Sequence, residues 1–298
     1  MIVSASYRTD IPAFYGEWFI ARFRAGYCRV NNPYGGRPGR VLLRHGVDGY
    51  VFWTRNATPF RSALALLSEA GLPFVVQYTL TNYPRPLERA VVAAPRAVDE
   101  IRHLAGQFGR RAVVWRYDPI LVSTLTPPDW HAANFAELAE RLRGSVDEVV
   151  TSFAQIYRKT RRNLAAAARL HGFAWQDPAA ADKAALLSRL ANVAADHGMR
   201  LTLCTQPELV TPEIGPARCI DAQRLSELAG RTIAAKTKGN RPGCLCAESR
   251  DIGDYDSCPQ GCVYCYAVGS RRQALARFAG HDPAGEFLFA NAFPGDAR

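Results

Sequence analysis

Residues 74–117 read FVVQYTLTNYPRPLERAVVAAPRAVDEIRHLAGQFGRRAVVWRY. Two short runs rich in β-branched and aromatic side chains, Phe74 to Leu80 and Ala112 to Tyr117, flank a longer stretch, Glu88 to Phe108, with the pattern of a helix. Strand, helix, strand is the unit that makes neighbouring parallel strands, because a parallel connection needs a crossover long enough to hold a helix. The alternation extends outward in both directions. Further strands are expected at Ile2 to Ser6, Tyr50 to Thr54, Glu148 to Phe153 and Arg200 to Thr205. Helices are expected at Pro12 to Ala25, Pro59 to Ala70, Asn134 to Arg143, Lys159 to Leu170 and Lys183 to Asp196. No Gly-x-Gly-x-x-Gly turn follows any of these strands, which disfavours an open dinucleotide-binding sheet. The expected fold is therefore α/β, a complete or partial (β/α) TIM-like barrel.

The chain has 298 residues, of which 37 are basic and 27 acidic, for a net charge of +10. With 48% hydrophobic and 21% charged residues it carries a globular composition, which excludes disorder and fibrous architectures. No run approaches the roughly 18 apolar residues of a membrane span, and the start has no secretory pattern, so a cytoplasmic protein without a membrane partner is expected. The stretches Asn31 to Gly39 and Gln176 to Ala181 read as surface connections. Beyond about Pro207 the pattern changes to Pro, Gly and Cys, with short helices expected at Asp221 to Ala229 and Val268 to Ala279. This suggests one domain over 1–298, a barrel core over 1–210 and a cysteine-rich segment over 211–298 packed on the barrel rim.

Eight cysteines without a secretion signal point to metal binding or catalysis more than to disulfides. Cys258, Cys262 and Cys265 have the spacing C-x3-C-x2-C. Three such thiolates can hold three irons of a [4Fe–4S] cluster and leave the fourth open, whereas structural zinc prefers four closed ligands; zinc on some of these cysteines is the alternative. Cys204, Cys219, Cys244 and Cys246 form a candidate second site, a further [4Fe–4S] cluster or zinc, unless some are simply buried small hydrophobes. That second description suits Cys28, which has no cysteine near it in sequence.

Several segments together resemble the bacterial family known as domain of unknown function eighteen forty-eight, over nearly the whole chain: SASYRTDIPAFYGEWF, VFWTRN, QYTLTNYP, VVWRYDPI, the CID at Cys219 to Asp221, and CLCAESRDIGDYDSCPQGCVYCYA. Within the last, CPQGCVYCYA resembles the cluster motif of radical S-adenosylmethionine enzymes, especially the spore photoproduct lyase or DNA repair photolyase-like branch. The resemblance implies a [4Fe–4S] cluster on Cys258, Cys262 and Cys265, with Tyr264 packed beside it. It further implies S-adenosylmethionine at the open iron, a deoxyadenosyl radical, and an electron donor such as flavodoxin or ferredoxin. In ordinary members of that superfamily the motif follows the first barrel strand; here it is C-terminal.

Alternation along the strands sets Arg116 and Asp118 on one face, likewise Gln77 and Thr79, and Trp53 and Arg55. Active sites of βα barrels gather at the carboxyl ends of the strands, so Arg8, Asp10, Arg55, Gln77, Arg116 and Asp118 are expected to form a polar ring. Arg8, Asp10, Arg116 and Asp118 are the candidate catalytic residues, and Tyr264, Gln77, Thr79 and Arg55 the candidate cofactor-binding ones. Structural ion pairing of Arg116 with Asp118 and of Arg8 with Asp10 is the alternative. Asp251, Asp254 and Asp256 either tune a site or keep a loop soluble, and Glu208 is expected to be exposed.

The run Arg158 to Arg162 and the group Lys236, Lys238 and Arg241 are basic, but no nucleic-acid-binding signature accompanies them. A small-molecule or nucleotide-like substrate is expected, with nucleic acid a minor reading. The function expected first is an iron–sulfur enzyme of the radical S-adenosylmethionine type. The alternatives are a zinc-stabilised basic nucleic-acid-binding or repair-associated protein, and an iron–sulfur redox or sensing protein without radical chemistry.

Overall fold

The structure, a computed structural model, describes residues 1–32 and 37–290. Eight strands form one all-parallel sheet: β1 Ile2–Ala5, β2 Gly49–Thr54, β3 Phe74–Thr79, β4 Val113–Ile120, β5 Glu148–Phe153, β6 Arg200–Leu203, β7 Gly215–Pro216 and β8 Ser249–Asp251. Their spatial order is β7-β6-β5-β4-β3-β2-β1-β8. Strands thus follow chain order across the sheet, except that the last lies beside the first. All six expected strands are present, within a few residues of the expected ends. Among the described residues β7 and β8 are not paired, so the sheet does not close into a complete barrel.

The helices fill the crossovers. They are α1 Ile11–Phe14, α2 Gly16–Ala25, α3 Arg61–Glu69, α4 Ala94–Phe108, α5 Pro128–Leu142, α6 Arg158–His171, α7 Ala180–Asp196, α8 Ala222–Ala229 and α9 Arg271–Ala279. The α4 helix shows why they pack as they do: Ala94, Ala97, Val98, Ile101 and Leu104 are buried at helical spacing. Each large aliphatic side chain so buried contributes about 1.5–3 kcal/mol relative to an exposed one. The expected helix Pro12 to Ala25 is two helices broken at Tyr15, whose hydroxyl bonds the Ser257 carbonyl. The expected helix start at Glu88 moves to Ala94, because 87–90 pairs with the cysteine segment instead: Ala90 N donates to Gln260 O at 3.0 Å and Val263 N to Leu87 O at 3.0 Å.

Period-two alternation gives the sheet two buried faces. One carries Val3, Tyr50, Phe52, Val76, Tyr78, Trp115, Tyr117 and Leu201 against the helices. On the other, Ile2, Val51, Val75, Val114 and Val150 pack against Cys219, Ile220, Leu225, Ile233, Cys246 and Ala247. The cover of this second face therefore comes from the chain between β7 and β8. The 211–298 segment supplies both this cover and two strands of the sheet, so a boundary at residue 210 does not separate core from appendage. An antiparallel pair, Tyr27–Val30 with Gly39–Leu42, frames the expected loop Asn31 to Gly39, of which 33–36 lie outside the described residues, as do 291–298. No helix is long and apolar enough to cross a membrane, among the described residues.

Candidate metal centre and strand-end site

The three motif cysteines follow β8, and β8 lies beside β1. A motif that is C-terminal in sequence is thus brought next to the first strand in space. Cys258, Cys262 and Cys265 line one cavity of about 220 Å³, together with Gln260, Gly261, Arg89, Arg271 and the α6 residues Asn163, Ala166 and Ala167. The turn is tightly built: Gly261 has φ +78°, and a Cβ there would stand 2.6 Å from Arg271 Nε, which donates to Pro259 O at 3.0 Å. Burial raises the pKa of all three thiols, that of Cys262 to about 12, and each is raised further by the neighbouring acidic groups. Gln260 is buried and its Oε1 has no partner, although it lines the cavity.

Tyr264 is held by an ion-paired knot. Arg55 Nη2 donates to its hydroxyl at 2.6 Å, and Arg55 Nη1 donates to Glu88 Oε1 at 2.8 Å and to Thr81 Oγ1 at 3.2 Å. The hydroxyls of Thr81 and Tyr264 both donate to the same Glu88 oxygen. Arg55 and Glu88 are both buried, so a carboxylate anchors the guanidinium and the guanidinium positions the tyrosine between two motif cysteines. Asp10 sits beside this knot and accepts four bonds, from Thr54 Oγ1, Arg55 N, Gln260 Nε2 and Ala13 N, the last capping α1. Burial pushes its pKa up and those bonds pull it back.

The expected ring is therefore divided. Arg8 does not pair with Asp10; its Nε stands 3.7 Å from Asp251 Oδ1. Asp251, on β8, also accepts from Ser4 and Ser6 hydroxyls, Tyr7 N and Gly253 N. Gln77, Arg116 and Asp118 do come together. Arg116 Nη2 donates to Asp118 Oδ2 at 2.6 Å and its Nη1 to Gln77 Oε1 at 3.3 Å, while Ser152 Oγ donates to the other Asp118 oxygen. Thr79 lies opposite Arg116 in the β3–β4 register. Glu88, Thr81 and Ser152 were not expected as parts of these sites, and Glu88 reads in the sequence as an ordinary helix-start acid.

The second group of cysteines is also assembled. Arg116 Nη1 donates to Cys219 Sγ at 3.0 Å, Cys219 Sγ stands 3.5 Å from Cys204 Sγ, and Arg241 Nη2 reaches Cys204 Sγ at 3.7 Å. Cys246 interacts with both Cys219 and Cys244. That interaction lowers the Cys244 thiol to about 6. For Cys219, the bond with Cys204 lowers the pKa, but the Cys246 bond and burial outweigh it and leave about 12. Cys28 is buried in the hydrophobic core away from both groups. Among the described residues no group of three or more His, Cys, Asp or Glu side chains is arranged to hold a metal ion. Of the expected basic residues, Lys238 pairs with Glu248 and Arg241 donates to Gln155; the carboxylate Glu208 is exposed.

Residues 2–267 match the family described as a domain of unknown function (DUF1848). The chain belongs to this family. Comparison with curated proteins and with solved structures gives no match. The DUF1848 match ends at Ala267, just past Cys265, so both cysteine groups, the Arg55–Glu88–Tyr264 knot and the Arg116–Asp118 pair all fall within it. The α9 helix, which contributes Arg271 to the cavity, lies beyond the matched DUF1848 residues.

Proposed function

We propose that this DUF1848 protein is an iron–sulfur enzyme of the radical S-adenosylmethionine type, with a [4Fe–4S] cluster on Cys258, Cys262 and Cys265. The observation that carries the reading is that three thiols from one turn line a single cavity of about 220 Å³, together with the buried Gln260, whose Oε1 has no hydrogen-bond partner. The donor set suits a cluster more than zinc. A tetrahedral zinc ion at about 2.3 Å from sulfur needs its thiolates crowded round one point, and no such crowding is present among the described residues. A cubane gives each thiolate its own iron and so tolerates wider spacing. When bound, such a cluster with S-adenosylmethionine supplies one-electron cleavage to a deoxyadenosyl radical.

The chain's own residues then have separable tasks. The thiols hold iron, and the Arg55–Glu88 pair fixes Tyr264 between two of them. Arg89 and Arg271 offer guanidinium charge at the cavity wall to a ligand carboxylate. Arg116, Asp118, Gln77 and Thr79 present polar groups to a small-molecule or nucleotide-like substrate at the strand ends. The strand order and the rows of alternating side chains support a partial (β/α) barrel open between β7 and β8, whose carboxyl-end rim is the ordinary place for such a site. The reading includes a reducing cytoplasm and a flavodoxin- or ferredoxin-like electron donor.

The test is iron, sulfide and zinc content after anaerobic purification, with electron paramagnetic resonance of the reduced protein before and after S-adenosylmethionine is added. A [4Fe–4S] signal that the cofactor alters, and that Cys262→Ala abolishes, is the expected result. Zinc without sulfide, or a full cluster in Cys262→Ala, overturns the reading.

A further inference from the structure

The other four clustered cysteines lie apart from that cavity; none of them lines it. In order of coupling they run Cys204, Cys219, Cys246, Cys244, a row in which the first two sulfurs stand 3.5 Å apart and Cys246 interacts electrostatically with both Cys219 and Cys244. A tetrahedral ion needs its ligands round one point, and a row does not provide that. Two cations stand along the row instead, Arg116 Nη1 at 3.0 Å from Cys219 Sγ and Arg241 Nη2 at 3.7 Å from Cys204 Sγ. Guanidinium groups so placed pull the sulfurs toward thiolate, the attacking and leaving form in thiol exchange, and so offset part of the rise that the neighbouring thiols and burial impose on Cys204 and Cys219.

The fold creates the inner pair. Cys204 directly follows β6 and Cys219 follows β7, and these strands are parallel neighbours with Leu203 opposite Pro216 and Ala217 N bonded to Leu203 O at 2.9 Å. Their sulfurs are 3.5 Å apart, so an approach of about 1.5 Å brings them to the disulfide length of about 2.05 Å. Both are nearly inaccessible, at 9% and 5% exposure, whereas Cys244 at the other end of the row is part-exposed. The row is thus a path from solvent to a buried pair.

We propose that Cys204 and Cys219 form a reversible dithiol–disulfide couple, reached through Cys244 and Cys246, that exchanges with small-molecule disulfides of the glutathione type. In the oxidising direction the Cys244 thiolate attacks one sulfur of oxidised glutathione and expels the first glutathione thiolate. Cys246 then attacks Cys244 Sγ and expels the second. Cys219 next attacks Cys246, freeing Cys244, and Cys204 attacks Cys219, freeing Cys246; these two exchanges are redox-neutral. In sum two protein thiols are oxidised to one disulfide, one glutathione disulfide is reduced to two thiols, and the two protons pass to glutathione. The couple does not depend on the cluster reading at Cys258, Cys262 and Cys265.

The full chain, as purified, is equilibrated in glutathione buffers of graded ratio, alkylated, cut with trypsin and analysed by mass spectrometry. Cleavage at Arg200, Arg218 and Arg224 places Cys204 in peptide 201–218 and Cys219 in peptide 219–224, so their linkage is read directly. The expected result is a 201–218/219–224 linked pair rising from one-tenth to nine-tenths of the protein. This roughly 80-fold change in ratio spans about 56 mV at 29.6 mV per decade. Cys244→Ser is expected to slow its formation at least tenfold while leaving the end point unchanged. The proposal is overturned if the four thiols alkylate separately in every buffer, if linkage appears only between Cys244 and Cys246, or if the four hold stoichiometric zinc or iron that persists in the Cys258→Ser/Cys262→Ser/Cys265→Ser variant.

Discussion

Replacing Glu88 by Ala removes the one carboxylate oxygen that receives Arg55, Thr81 and Tyr264 together. The guanidinium left behind is 8% exposed, and its other side-chain partners are the hydroxyls of Thr81 and Tyr264. Breaking a buried ion pair from one side costs about 3–5 kcal/mol, because the remaining charge stays desolvated. The two hydroxyl bonds are coupled to that loss and do not add to it in full. At about 2 °C per kcal/mol for a chain of this size, Tm falls by roughly 6–10 °C. Glu88→Gln keeps an acceptor oxygen and loses the charge, so a smaller loss of about 1.5–3 kcal/mol is expected. Urea unfolding followed by circular dichroism measures both, and a double-mutant cycle with Tyr264→Phe measures their coupling. A loss under about 1 kcal/mol for Glu88→Ala, or no coupling to Tyr264, would refute the claim that this knot pins the cysteine turn.

Two further outcomes follow from burial and close packing. Burial lowers His131 to about 4, and the neutral ring accepts from Tyr117 OH at Nδ1 and donates from Nε2 to Leu121 O. Its folded pKa lies below the unfolded value of about 6.5, so the unfolded state binds the proton first and stability falls as pH drops from 6.5 to 4, by roughly 3 kcal/mol. His131→Asn should flatten that slope in pH-dependent urea melts, and an unchanged slope would assign it to other groups. At Gly253 a Cβ would stand 2.0 Å from Ser6 Oγ and 2.5 Å from Ser6 Cβ. Gly253→Ala should therefore displace Ser6 from Asp251 and cost about 1–3 kcal/mol, whereas thermal melts identical to the parent protein would show that the loop yields freely.

Six of the eight sheet strands are legible because each has a β-branched or aromatic run long enough to show against its flanking helices. The last two are not. Gly215–Pro216 is two residues long and Ser249–Asp251 is wholly polar, so neither has a pattern; only pairing with an existing edge makes them strands. Alternation groups Gln77 of β3 with Arg116 and Asp118 of β4, since each strand's pleat sets its own side and the parallel register aligns the two faces. It fails for Arg8 and Asp10, which lie past the end of β1 where the period no longer holds, and Asp251 from β8 takes the place of Asp10 beside Arg8. Glu88 was hidden for a different reason. Its surroundings favour a helix, and the competing pairing with Gln260 and Val263 comes from residues more than 170 positions away, which no local window contains.

The pairing of β1 with β8 joins Ile2 to Ser249, the first strand of the sheet to the last. During synthesis β1 can find β2 early, but its other edge stays bare until residues 249–251 have left the ribosome. Contacts of such long sequence separation form late, because the intervening loop must first be closed at an entropic cost. The turn that carries Cys258, Cys262 and Cys265 follows β8 directly, so assembly of the cysteine cavity waits on this long-range pairing. A nascent chain stalled before residue 249 would therefore hold an exposed strand edge and lack the cysteine turn.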